Sequence, residues 1–311
     1  MSRILVLHLG LIVLLFLAQF VLPPYHHTNF ARIMVLAVYA IGYNIAFGYT
    51  GLLSLGHALF FAAGMYATGL TIQLGGWDAL LAVPAGVLAG GAMAVAVGLL
   101  ALRTAGVSFM IVTLMFAQAG YLTVLYLGPW TRGDEGFVIA RAARALGPLD
   151  LSDDTTRYMA ALVLFSVALL ACLWLVRSRT GRVLVAMREN EERSRMLGYD
   201  PFRAKLTALG ISGLYAGASG AAYGLMFGYV GASFAEIAHS ILPLLWVLLG
   251  GAGTVIGPFV GTFLMFYLID LSSGVTTAHL LVVGVALVLL VLFAPQGVLG
   301  TIRARVARWL P

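Results

Sequence analysis

Apolar positions in this chain fall in long blocks, not in alternating stripes. Runs nearly free of charge cover residues 4–22, 30–47, 54–72, 80–102, 106–127, 158–176, 206–230, 238–250, 255–271 and 279–294, parted by polar or Gly/Pro-rich turns. A helical bilayer crossing takes about 20 mainly apolar residues. The pattern therefore predicts an all-α fold: a polytopic transmembrane bundle of about ten crossings. The block 238–250 is short, roughly 20 Å as a helix, which suits a half-crossing element. The opening run, after Arg3, resembles a signal peptide but ends Ala18-Gln19-Phe20-Val21, without a small-x-small cleavage site; it reads as a retained first helix.

Composition agrees. Of 311 residues, 61% are apolar and 10% charged, against roughly 45–50% and about 25% in a typical globular protein. No polar stretch is long enough for a soluble domain with its own core. The net charge of +6 is unevenly placed: eight of the eighteen basic residues lie in 177–205 among four acids, and Arg303, Arg305 and Arg308 lie near the C-terminus. Basic residues beside crossings mark the cytoplasmic side. With Arg3 inside and ten crossings, both termini, Arg103 and the 177–205 loop are cytoplasmic. The 128–157 loop, with four arginines and five acids, is then outside, as an irregular surface with one short helix near 140–146. Nine crossings would put one arginine-rich region on the wrong face.

Two stretches are poor material for a plain lipid-facing helix. Residues 42–57 hold Gly42, Gly48, Gly51, Gly56, Asn44, Thr50, Ser54 and His57; residues 250–258 read Gly-Gly-Ala-Gly-Thr-Val-Ile-Gly-Pro, with Gly261 beyond. Irregular backbone at membrane depth survives only within protein or along a water-filled cavity. One Gly-interrupted segment in each half points to a transport pathway. The bland alternative is close packing, which fits Gly213, Gly217, Gly220 and Gly224 best. Mild polar groups, Asn44, Tyr49, Thr50, Ser54, His57, Thr113 and Gln118, are candidates for the pathway, with interhelical hydrogen bonding as the competing reading. A lone His57 is more often a hydrogen-bonded structural group than a ligand, and His26 and His27 beside Pro23-Pro24 read as solvated. No mid-bilayer carboxylate suggests a proton relay. No phosphate loop, metal pair or catalytic constellation appears, so the chain reads as a non-enzyme with no metal or cofactor of its own, and single Cys172 excludes an internal disulfide.

The inner loop is ordered by local rules. Thr180 is suited to cap a helix over 181–197, Gly198 to end it, and Asp200-Pro201 to restart the chain. Glu189–Arg193 and Glu191–Arg195 would be i,i+4 pairs, and Val183, Leu184 and Met187 give one apolar side. Such a helix lies on lipid headgroups or docks a cytoplasmic partner; the four acids of its loop favour docking.

The stretch Gly48-Tyr49-Thr50-Gly51-Leu52-Leu53-Ser54-Leu55-Gly56-His57 resembles the signature of permease subunits of bacterial branched-chain amino acid ABC importers (LivM type). So do residues 113–118 (Thr-Leu-Met-Phe-Ala-Gln), 131–136 (Thr-Arg-Gly-Asp-Glu-Gly), 181–199, 250–258 and the closing Ala294-Pro295-Gln296-Gly297, over roughly residues 35–300. The resemblance implies a single permease domain over 1–311, with 128–157 as its periplasmic loop and 177–205 as its cytoplasmic coupling loop in the bacterial inner membrane. It implies partners: a second permease subunit (LivH type), two cytoplasmic ATPases that bind the ATP and Mg, and a periplasmic substrate-binding protein. It also implies ATPase coupling through Arg182, Arg188, Glu189, Asn190, Glu192, Arg193 and Gly198, and helix breaks at Gly48, Gly51, Gly56, Gly250, Gly251, Gly253 and Gly257. Arg132 stands where the family's outer Thr-Gly-Gly loop has a glycine. From the residues alone, an autonomous facilitator or channel for a small neutral solute such as urea stays open.

Overall fold

The computed structural model describes residues 2–147, 149–275, 278–294 and 296–305. Pro148, Pro295 and Arg308 lie outside them. Among the described residues a helix occupies each of the ten apolar blocks: α1 (Ser2–Ala18), α2 (Pro24–Asn44), α3 (His57–Gln73), α4 (Ala79–Ala101), α5 (Val107–Tyr126), α7 (Asp154–Arg177), α10 (Pro201–Phe227), α11 (Ile237–Gly250), α12 (Gly257–Ser273) and α13 (His279–Phe293). Shorter helices are α6 (Gly128–Thr131), α8 (Arg179–Glu189), α9 (Glu191–Met196) and α14 (Gly297–Arg305). Four helical stretches, Pro24–Tyr49, Ala79–Ala101, Val107–Tyr126 and Asp154–Arg177, are long and apolar enough to span a bilayer by length and composition. Surfaces such as Leu14, Leu81, Met115, Val163 and Trp174 remain open to the outside. The molecule is a multi-pass helical membrane protein.

Lipid tails are as apolar as leucine, so such helices are held by close van der Waals packing and hydrogen bonds, not by a hydrophobic drive between them. The glycines on α10 serve this. A Cβ on Gly64 of α3 would stand 2.5 Å from the Cα of Gly217, and one on Gly90 of α4 the same distance from the same atom. Three backbones thus meet at Gly217, and the packing reading of that helix holds. At the centre is α2, where every residue from Ala37 to Ala46 is buried. By contrast α5 buries one stripe, Phe109, Thr113 and Ala117, four residues apart as one helix face requires.

The segment after α6 is largely irregular. A 3-10 turn covers Arg141–Arg144, where a short helix was expected near 140–146, and four two-residue strands, β1 (Phe137–Val138), β2 (Ala145–Leu146), β3 (Leu149–Asp150) and β4 (Tyr229–Val230), pair as β1–β4 and β2–β3. Among the described non-glycine residues only Arg132 has a positive φ, 56°. That is the conformation a glycine adopts freely.

Two local expectations fail. The second block starts at Pro24, six residues early, because Pro23 is extended and Pro24 takes the first helical turn, where a missing N–H costs nothing. His26 and His27 are therefore helical and half-buried: His26 Nδ1 lies 2.8 Å from the Tyr267 hydroxyl, and His27 Nε2 2.7 Å from the Gln19 carbonyl. The inner helix is also not continuous over 181–197. Ser178, not Thr180, caps α8 by accepting from the Gly181 N–H at 3.2 Å. Asn190 then turns extended (φ −159°) and accepts from the Arg193 N–H at 2.8 Å, capping α9. An N-cap at Asn190 ends one helix and starts another, so no Glu189–Arg193 pair forms, while Glu191–Arg195 does at 3.5 Å.

Candidate functional site

The two glycine-rich stretches link α2 to α3 and α11 to α12, and they meet at the same end of the bundle as α8. In the first, α2 widens into a π-turn over Ile45–Tyr49, a feature frequent at functional sites. The chain leaves it through Thr50, whose hydroxyl donates to the Ile45 carbonyl (2.9 Å), and Gly51, whose φ of 77° favours glycine. In the second, Gly251 (φ 118°) and Gly253 (φ 75°) reverse the chain between α11 and α12. Gly250 faces Gly257 and Gly261 with no room for a side chain: a Cβ there would stand 2.9 Å from the Gly261 nitrogen.

Asn44 locks the turns together. Its Nδ2 donates to the Thr254 carbonyl at 2.9 Å, and its Oδ1 accepts from the Gly253 N–H at 2.9 Å. Gly48 lies against this clamp, where a Cβ would stand 2.6 Å from the Gly253 nitrogen. Arg188, from the end of α8, donates Nη1 to the Gly48 carbonyl. Helix α8 therefore touches the junction of both breaks directly.

Most of the remaining candidates are spent on holding the first break. Thr113 Oγ1 accepts from the Leu55 N–H (3.1 Å), Ser54 Oγ accepts from the Gly56 N–H (3.2 Å), and the Tyr43 hydroxyl donates to the Ser54 carbonyl (3.1 Å). Ser240 of α11 accepts from the Ala58 N–H at 2.9 Å, satisfying one of the orphan donors of α3. His57 Nε2 lies 2.7 Å from Ser212 Oγ of α10, with its ring against Tyr43. Gly56 is packed on Thr113, whose carbonyl a Cβ would approach to 2.9 Å. Of the polar candidates, the Tyr49 hydroxyl and His57 Nδ1 are buried without a hydrogen-bond partner among the described residues. Gln118 stands half-exposed, more than a turn beyond Thr113, and joins nothing at the junction.

Below the first break is a cavity of about 580 Å³, bounded by Thr50 and Gly51, by the α4–α5 turn, and by Arg188, Asn190 and Lys205. Leu184 and Met187 of α8 are buried in the protein, so the apolar side of this helix is spent on the bundle and not on lipid. Arg182, Glu189 and Arg193 are exposed and Glu192 is likewise turned outward. Gly198 adopts φ 88° and ends α9 as its type predicts. Beside it Met196, Leu197 and Tyr199 are exposed at 86%, 71% and 47%. Sequence reasoning missed Arg303, of α14, which donates to the Gly253 carbonyl at 3.3 Å; its place in a basic C-terminal run was the available signal.

Residues 28–294 match the family described as branched-chain amino acid transport system, permease component. The chain belongs to that family. It is 30% identical over 292 residues to the high-affinity branched-chain amino acid transport system permease protein LivM of Escherichia coli (strain K12), covering 87% of this chain and 69% of that protein. It is 29% identical, with the same coverage, to the corresponding LivM protein of Salmonella typhimurium (strain LT2). No solved structure gives a significant match. The family's permease role accords with a bundle whose two glycine turns are joined at one point.

Proposed function

We propose that this permease is the membrane subunit of an ATP-driven importer in the bacterial inner membrane, carrying branched-chain, hydrophobic amino acids. Ten crossings with both termini inside place residues 128–157 in the periplasm, beneath a substrate-binding protein, and 177–205 in the cytoplasm, above the ATPases. A LivH-type second permease completes the path, and ATP and Mg are held by the two ATPase subunits.

One observation carries this reading: Arg188, at the end of the inner-loop helix, grips the Gly48 carbonyl at the clamp between the two breaks. An ATPase that binds one position of α8 and α9 more tightly than another shifts the junction by that difference in affinity. The apolar knob of Met196, Leu197 and Tyr199, rimmed by Arg193, Arg195 and Asp200, is suited to seat in a groove of such a partner. Arg188→Glu and Gly198→Pro test the coupling. Both should abolish ATP-dependent leucine uptake by the assembled importer while membrane insertion persists, since proline cannot adopt φ 88°. Normal uptake by both rejects the coupling role. Passive flux of urea through the chain reconstituted alone would favour a facilitator instead.

A further inference from the structure

Two arginines reach the junction from helices other than those that flank the two breaks. Arg188 Nη1 holds the Gly48 carbonyl and also lies 3.1 Å from where a Cβ on Gly253 would stand. Arg303 Nη1 holds the Gly253 carbonyl at 3.3 Å. Among the described residues neither is within ion-pair distance of a carboxylate, so both charges are directed at backbone oxygens. These are oxygens at helix breaks, where carbonyls lose their intrahelical donors, and a charged donor makes the stronger bond. The helix bearing Arg303 is itself seated on the second break: the Gly300 amide nitrogen would lie 2.7 Å from a Cβ on Gly251.

We propose that Arg188 and Arg303 act as a paired latch, in which the inner-loop helix and the C-terminal helix each hold the carbonyl of one break, making α14 a second input to the gate. This rests on the importer reading, but it assigns the C-terminal helix a task which that reading leaves out. Movement of α8 with the ATPases releases Gly48, while Arg303 and the Asn44 clamp keep the second break in place. Without Arg303 the second break loosens independently of substrate, and ATP hydrolysis loses its link to transport.

The test compares Arg303→Gln and Arg303→Lys with the wild type, each in the complete importer in lipid nanodiscs and in liposomes. Hydrogen exchange is read on peptides covering 44–57 and 250–257, alongside ATP hydrolysed per radiolabelled leucine taken up. Arg303→Gln should speed exchange in both peptides about tenfold or more, the scale of one lost charged hydrogen bond, and raise ATP consumed per leucine; Arg303→Lys should restore most of both. A merely structural role would alter yield without lysine rescue. Wild-type exchange and wild-type coupling in Arg303→Gln overturn the latch. If the wild type takes up no leucine, the importer reading falls, and the exchange result alone decides whether the two arginines hold the breaks.

Discussion

Replacing Asn44 with leucine removes the clamp while keeping the branching and number of heavy atoms in the side chain. Asn44 is fully buried, and its amide satisfies the Gly253 N–H and the Thr254 carbonyl, each at 2.9 Å. The leucine variant leaves both backbone groups buried without these partners, at about 1–3 kcal/mol each, so about 2–6 kcal/mol in all. At roughly 2 °C per kcal/mol for a chain of this size, the melting midpoint falls by about 4–12 °C. A double-mutant cycle with Gly48→Ala sharpens the test, because the added methyl collides with the Asn44 side chain. In the Asn44→Leu background a collision remains, but the lost hydrogen bonds are not lost twice, so the double mutant should be less impaired than the sum of the singles. The assays are thermal melting of the purified assembly and leucine uptake by liposomes. An Asn44→Leu protein that melts with the wild type and transports at the wild-type rate would refute the claim that this side chain joins the two breaks.

Other expectations can be checked separately. Arg132→Gly should raise stability by about 1 kcal/mol, since the left-handed conformation costs a side-chain-bearing residue roughly that much; equal melting points would contradict it. Ser178→Ala should cost about 1 kcal/mol and Thr180→Ala almost nothing, because Ser178 caps α8, and a melting comparison decides between them. Gly217→Val should prevent accumulation of folded protein, as the site has no space between α3 and α4, seen as loss of a monodisperse peak on size exclusion. At the start of α7, the Thr156 N–H holds the Asp153 carboxylate below its ordinary range. A depressed carboxylate stabilises above its unfolded value and loses that contribution as pH falls through the folded one. Protection of the first turn of α7, with exchange corrected for its intrinsic pH dependence, should therefore fall below about pH 4, and Asp153→Asn, which caps without a charge, should flatten that dependence.

Much of the architecture was legible because membrane insertion writes itself in blocks. A run such as residues 80–102 needs no partner to declare a helix, and α4 follows it to within a residue or two at each end. Caps were less secure, since serine, threonine and asparagine all compete for the same orphan donors: Ser178 and Asn190 won where Thr180 and a continuous helix were expected. The glycine-rich stretches were visible as irregular backbone, and their long motifs carried the resemblance to the permease family. Their meeting was not visible, because nothing in the order of residues brings Asn44 within reach of Gly253 and Thr254, some 210 positions away.

The chain by itself determined that it lives in a bilayer, where its helices run, and which two stretches could not be plain helix; apolar length and glycine content are local properties that act wherever the segment lies. Only the tertiary structure decided that the two stretches abut, that Thr113, Ser54 and Ser240 are spent on satisfying backbone, and that Arg188 and Arg303 converge on neighbouring carbonyls. The reason is that a carbonyl freed at a helix break must find a donor in the nonpolar interior, and which donor arrives is set by how helices distant in sequence pack.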